Sequence, residues 1–255
     1  MTNLKISVVT CCYNHARFLE QTIKSVLNQR YPNLEYIIID GGSTDGSEQI
    51  IRRYSTELSY WVSEPDEGQT DALMKGFERA SGDVLCWLCS DDLHEPWTLH
   101  EVGQFFSENP DARIVYGDSS WIDAEDRVIG PKKEHRFNRF IWMYDHNFIP
   151  QPSTFWRRDL YLQVGGLDKT FDVAMDADLW MRFAEITKIH HVPRPWSRMR
   201  YYPEQKVRKL LQRARQEDRR IRERYTSARS EWIYLALHIC AKMMRVGWKV
   251  ITHRY

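Results

Sequence analysis

No run of about 18 or more consecutive apolar residues, the length a membrane-spanning helix needs, occurs in the sequence. The opening MTNLKISVVT passes from a polar segment into an alternating strand and lacks the basic flank and apolar core of a secretion signal. The expectation is a cytoplasmic protein, soluble or peripheral on the inner face of a membrane. Cysteine is scarce and poorly placed for cross-links: Cys11, Cys12, Cys86, Cys89 and Cys240 are odd in number and two are adjacent, which makes a poor disulfide framework and suits a reducing compartment. Charge of one sign is not in excess either, with 36 Lys and Arg against 35 Asp and Glu. The basic residues concentrate late, ten against three acids over residues 206–229. A nucleic-acid protein would spread them over its folded body, so no nucleic-acid partner is expected. Walker and GxGxxG loops are absent, as are internal repeats and low-complexity segments.

What is present is core material, 42% hydrophobic and 13% aromatic, enough for one large α/β domain with a tail. Strand and helix signals alternate. KISVVTC (Lys5 to Cys11), EYIIID (Glu35 to Asp40), Tyr60 to Val62, Val84 to Cys89 and Arg113 to Tyr116 read as strands. Between them, Ala16 to Asn28, Ser47 to Tyr54, Gln69 to Ala80 and Trp97 to Ser107 read as helices. This order predicts a mostly parallel sheet flanked by helices, with ligands bound beyond the carboxyl ends of the strands. After Gly117 the pattern is less regular; Trp142, Phe148 and Trp156 suggest an aromatic wall, and His190-His191 reads as a loop feature. Helices return at Asp176 to Glu185, Lys206 to Tyr225 and Glu231 to Ile251. The expected organisation is a domain over 1–205, divided into two halves (1–116 and 117–205), followed by a basic, amphipathic helical tail over 206–255.

The chemistry-bearing residues cluster at strand ends. LCWLCSDDLHEP closes a strand with two adjacent carboxylates, Asp91 and Asp92, which suit Mg²⁺ or Mn²⁺ or, more blandly, a solvated turn ahead of a helix. Asp40 precedes GGSTDG, whose glycines let a backbone approach a ligand closely or simply make a strand-to-helix turn. SEPDEGQTDALMKG places Asp66, Gln69, Asp71 and Lys75 around a helix start, either lining a nucleotide pocket or answering the helix dipole. Asp176 and Asp178 open another helix, as caps or as a general base. The CxxC of Cys86 and Cys89 lies in an apparent strand without a matching second pair, so both cysteines are expected in the core.

Taken in order, ISVVTCCYNHARFLEQTIKSVLNQRYPNLEYIIIDGGSTDGS, WVSEPDEGQTDALMKGFERASGDVLCWLCSDD, IPQPSTFWRR and GGLDKTFDVAMDADLWMRFA resemble a family 2 glycosyltransferase of the GT-A fold, over about residues 4 to 206. The resemblance implies a GT-A type sheet, a nucleotide-sugar donor as co-substrate, a divalent cation, a nucleotide-binding half over 1–116, an acceptor-binding half over 117–205, and a sugar-facing use for the wall of Trp142, Phe148 and Trp156. It implies nucleotide contacts from Thr10, Cys11, Tyr13, Asn14, Asp40, Asp66, Gln69, Asp71, Lys75, Ser90 and Asp91. It places the metal on Asp91, with Asp92 beside it, and the catalytic base at Asp176, ahead of Asp178. The implied reaction is inverting transfer of the sugar to a hydroxyl of a glycan or lipid-linked acceptor, in cell-surface polysaccharide biosynthesis. Four positions depart from the pattern: Cys89 stands for an acid or Asn, Gly41 for a second Asp, Met175 for a Glu, and Tyr202 before Pro203 for a His. A non-catalytic scaffold of the same fold and a nucleotidyltransferase are the alternatives, and an oligomer is compatible with the sequence.

Overall fold

The computed structural model describes residues 4–226 and 231–252. Nine strands form one sheet, in the order β3-β2-β1-β4-β8-β6-β9-β5, with β7 paired to β6. The first half follows the alternation of the sequence: β1 (Ile6–Cys12), α1 (Ala16–Leu27), β2 (Leu34–Asp40), α2 (Ser47–Arg53), β3 (Tyr60–Ser63), α3 (Gln69–Arg79) and β4 (Val84–Trp87). All seven residues of β1 are buried, as a central parallel strand covered on both faces requires. β1 pairs parallel with β2 and β4, and β2 with β3, so the carboxyl ends of all four share one edge.

The second half departs from a plain parallel continuation. After β5 (Leu93–His94) and α4 (Thr98–Glu108), the strand expected at Arg113 to Tyr116 runs on as β6 (Ile114–Ile122). It does not lie beside β4, because β8 (Thr154–Arg157) inserts antiparallel to both. β7 (Val128–Lys132), α5 (Arg139–Tyr144), α6 (Arg158–Gln163) and α7 (Met175–Ile186) surround this part. His190 and His191, expected in a loop, belong to β9 (Ile189–Arg200), which pairs parallel with β6. Pro193 and Pro195 hid this strand, since proline removes a ladder donor; the structure absorbs them with register shifts around Asp118. Gly117 permits the close packing there, as a Cβ would lie 2.6 Å from the Trp196 ring.

Trp142, Phe148 and Trp156 are fully buried and cannot form a sugar-facing wall. Trp87 stacks on Trp180 at 5.6 Å and meets Trp156 at 5.5 Å, edge to face. This aromatic block ties β4, the strand leading to the acid pair, to α7, the helix carrying Asp176. Truncating one of these indoles to alanine would cost about 3–5 kcal/mol. The tail forms α8 (Lys206–Lys209), α9 (Leu211–Tyr225) and α10 (Glu231–Ile251).

Candidate active site at the carboxyl ends of the strands

β4 leaves the ladder at Trp87, whose carbonyl accepts a 2.8 Å bond from Gln151 Nε2, and the chain turns through Cys89, Ser90, Asp91 and Asp92. Both acids are buried, at 8% and 7% exposure, so their mutual repulsion needs compensation. Arg200, itself 1% exposed, supplies much of it. Its backbone N–H donates to Asp92 Oδ1 at 2.9 Å and its Nε to the Asp91 carbonyl at 2.8 Å. The Thr22 hydroxyl bridges the carbonyls of Ser90 and Asp92, each at 2.9 Å. Burial, then the neighbouring Asp91, pushes the Asp92 carboxyl well above its ordinary range. The Tyr202 hydroxyl donates to Asp91 Oδ2 at 2.8 Å.

Cys89, expected in the core with Cys86, sits at the tip instead. Cys86 is fully buried, whereas three residues on Cys89 falls on the other face of the chain and beyond the strand end. Ligand atoms of Cys89, Asp91 and Asp92 lie within 4.8 Å of one another. Two carboxyl groups and a thiol at that spacing would, on giving up their protons, fit a small divalent cation, and each acid keeps one oxygen outside the hydrogen bonds just given.

Alongside lies the loop after β2. Asp40 is fully buried and accepts bonds from Ser43 Oγ at 2.5 Å and Ser63 Oγ at 2.6 Å. A side chain at Gly41 would come within 2.6 Å of Asp66 Oδ2, which accounts for glycine at the position where a second acid was expected. The Asp66 carboxyl is raised by burial. Asn14, at φ 53°, accepts from the Thr44 N–H at 2.8 Å, while its own N–H donates to Ser43 Oγ at 2.7 Å. His15 Nδ1 meets Ser90 Oγ at 2.7 Å, joining this loop to the acid tip.

The remaining expected contacts divide. Thr10 is fully buried with its hydroxyl 3.1 Å from that of Tyr36, so its side chain belongs to the core and not to a ligand surface. Tyr13 is 63% exposed beside Asn14. Asp71 and Lys75 pair with each other at the mouth, at 3.4 Å, and with Lys169 and Glu64. Cys11 and Gln69 are deeper, and Gln69 Nε2 donates to Cys89 Sγ at 3.3 Å. Lys206, the first residue of α8, donates to Gln69 Oε1 at 3.2 Å and to Asp172 Oδ1 at 2.6 Å. The tail therefore reaches the pocket edge.

The two acids opening α7 part company, because residues two apart lie about 200° around a helix. Asp176 is half-buried and accepts from Asn147 Nδ2 at 3.0 Å; burial pushes its carboxyl up to about 6. Asp178, expected beside it as a second catalytic acid, is fully buried between Arg182 and Arg224, at 2.8 and 2.9 Å. Its oxygens hold α7 to α9. Just before Asp176, the N–H groups of Val173 and Ala174 donate to Glu217 of α9 at 2.8 and 2.9 Å. Burial alone would raise the Glu217 carboxyl, but these donors hold it below the usual range.

Sequence reasoning missed His15, Thr22, Asn147, Arg200, Lys206 and Glu217 in this site. Each is separated along the chain from the groups it contacts, and only Tyr202, through its departure from the family pattern, left a local signal.

The family model described as glycosyl transferase family 2 matches residues 7–165. An uncharacterized glycosyltransferase of Mycobacterium tuberculosis is 30% identical over 190 residues, 70% of this chain and 68% of the relative. One from Rickettsia typhi is 26% identical over 192 residues, 72% of this chain and 60% of the relative. Among solved structures, S. aureus TarS 1-349 in complex with UDP-GlcNAc superposes with a TM-score of 0.65 at 17% identity, covering 79% of this chain and 60% of that one. Mannosyltransferase PcManGT from Pyrobaculum calidifontis, in complex with GDP-Man and Mn²⁺, gives 0.65 at 18% identity, covering 97% and 76%. The sheet is thus of the GT-A type.

Proposed function

The chain belongs to glycosyl transferase family 2, and from that premise we propose that it moves a sugar from a nucleoside-diphosphate donor to a hydroxyl of a glycan or lipid-linked acceptor, with inversion. The carrying observation is the cluster of Cys89, Asp91 and Asp92 at the β4 tip, beside the loop that holds Asp40. Asp66, with Asn14 and the backbone around Cys11 and Tyr13, receives the nucleoside, while Asp40, its oxygens taken by Ser43 and Ser63, holds the loop beside them in shape. Gln69, Lys75 and Ser90 border the diphosphate, and Asp71 sets Lys75 by their ion pair. Asp91 would be the chief ligand of a Mn²⁺ or Mg²⁺ ion, with Asp92 and Cys89 beside it. Such an ion supplies Lewis-acid stabilisation of the diphosphate as it leaves.

Asp176 takes the proton of the acceptor hydroxyl. A carboxyl near 6 is ionised at neutral pH yet more basic than an ordinary aspartate, which suits a general base. Asn147 orients one of its oxygens. Asp178 has no proton-transfer part, since its charge is committed to two arginines. UDP-GlcNAc and GDP-Man, the donors bound by TarS and PcManGT, are the first to try. The reading extends to cell-surface polysaccharide synthesis on the cytoplasmic side of a membrane, and the tail is the part of the chain that would meet that surface. A panel of nucleotide-sugars, incubated with Mn²⁺, Mg²⁺ or EDTA, should show cation-dependent release of nucleoside diphosphate from one donor. Release from none, or release indifferent to EDTA, contradicts the proposal.

A further inference from the structure

The last helix is amphipathic the wrong way round for a helix packed on a soluble domain. Its polar side faces inward: Arg245 pairs with Asp145, Lys249 with Glu134 at 3.3 Å, and His238 Nδ1 bonds the Tyr144 carbonyl at 2.6 Å, around the fully buried Ala241. Trp232, Leu235, Ile239, Met243, Val246 and Val250 recur at intervals of three and four, forming one stripe, and all are exposed, Trp232 at 80% and Met243 at 68%. From Trp232 to Val250 the stripe is about 27 Å long. A continuous apolar surface of that length marks an interaction site. No helix among the described residues is long and apolar enough to cross a membrane.

A second observation identifies the partner. The inward basic residues of α10 line a cleft of about 290 Å³ together with Lys132, Lys133, Glu134 and Trp121. Four cations, Lys132, Lys133, Arg245 and Lys249, line it, against two carboxylates, Glu134 in the lining and Asp145 bonded to Arg245. The only charged residue among the described exposed positions of α10 is Lys242, again positive. A second copy of the stripe would cover the apolar face but bring no negative charge to the cleft.

We propose that α10 lies in the interface of an anionic phospholipid membrane, its apolar stripe among the acyl chains and the adjacent cleft taking a headgroup phosphate. Apolar area and positive charge then act together, the combination that holds interfacial helices at anionic bilayers. This goes beyond the donor-site reading and does not depend on it.

The test is co-sedimentation of the full chain with phosphatidylcholine vesicles, with and without phosphatidylglycerol, and no nucleotide-sugar present. Failure would leave the donor-site reading untouched. Binding should be roughly 10-fold or more tighter to the anionic vesicles and should weaken as salt rises. Ile239→Ser with Met243→Ser should reduce it about 10-fold or more while leaving the thermal midpoint unchanged, both side chains being exposed. Lys133→Gln should remove part of the preference for anionic lipid. Absence of binding to either vesicle, equal binding to both, or wild-type binding by the stripe variant overturns the proposal. So does a dimer in solution that the stripe variant dissociates without changing vesicle binding, which would assign the stripe to a second copy.

Discussion

The Tyr202 hydroxyl donates a 2.8 Å hydrogen bond to Oδ2 of Asp91, and the two residues stand 111 positions apart in the chain. The acid that the resemblance singles out as the metal ligand thus accepts from Tyr202, which stands where the resemblance expects a histidine. Asp91 would hold a cation with the Tyr202 bond either kept or given up.

Tyr202→Phe removes that hydrogen bond without changing the ring. The expected result is a cation-free protein less stable by about 1 kcal/mol, the value of an ordinary buried hydrogen bond, together with Mn²⁺ affinity that rises or holds. Calorimetric titration with Mn²⁺ and thermal unfolding in EDTA measure the two effects. A several-fold loss of Mn²⁺ affinity would show that the phenol itself is a ligand.

Cys89→Asp restores an acid to the cluster. Oxygen ligands favour Mg²⁺ and Mn²⁺, whereas a thiolate favours soft cations, so the variant should bind Mg²⁺ more tightly and Cd²⁺ more weakly than the wild type. Calorimetric competition between Cd²⁺ and Mg²⁺ in the wild type and the variant checks the exchange. An unchanged preference would remove Cys89 from the ligand set.

Asp176 gives a pH prediction with a definite sign. The base must be ionised, so turnover should rise with pH through about 6 and then level off. For stability the direction is opposite. A carboxyl raised from 3.8 to about 6 on folding favours the native state while it is protonated, and that advantage is lost as pH rises through the folded value. Asp176→Asn should therefore lower turnover by about 10²-fold or more and make the protein more stable at neutral pH, on the order of 1–2 kcal/mol. A stability difference that stays constant from pH 4 to 8 would contradict the raised carboxyl.

Glu217 accepts the N–H groups of Val173 and Ala174 just ahead of Asp176. Glu217→Ala leaves those donors unpaired and should cost about 2–3 kcal/mol. Glu217→Gln keeps one acceptor oxygen and should cost less. As Glu217 positions the start of α7 and is not placed against donor groups, the Gln variant should lower kcat while donor KM stays within about twofold. A change confined to KM would move the tail's role to the donor pocket.

The sequence was most informative where one segment made its own structure. β1, β2 and β4 announce themselves as apolar runs, and the acid pair at Asp91 and Asp92 follows one of them directly. Legibility fell where structure depends on pairing between distant segments. β8 slips between β4 and β6, which no local period shows. β9 hid behind Pro193 and Pro195, and with it went Arg200, whose bonds to the acid loop come from 108 residues away. Asp178 looked like a second catalytic acid because its partners, Arg182 and Arg224, could not be assigned to it before α7 and α9 were docked. Trp142, Phe148 and Trp156 looked like a binding wall because aromatic residues serve cores and sugar sites alike; burial alone separates the two uses.

The division of labour between Asp91 and Asp176 is the centre of the account, and two variants tested side by side probe it most directly. With Mn²⁺ present, nucleoside-diphosphate binding and sugar transfer should both be lost in Asp91→Ala, whereas Asp176→Asn should bind the nucleoside diphosphate as the wild type does and fail to transfer. Transfer by Asp176→Asn at the wild-type rate, or Mn²⁺-dependent nucleotide binding unchanged in Asp91→Ala, would contradict it.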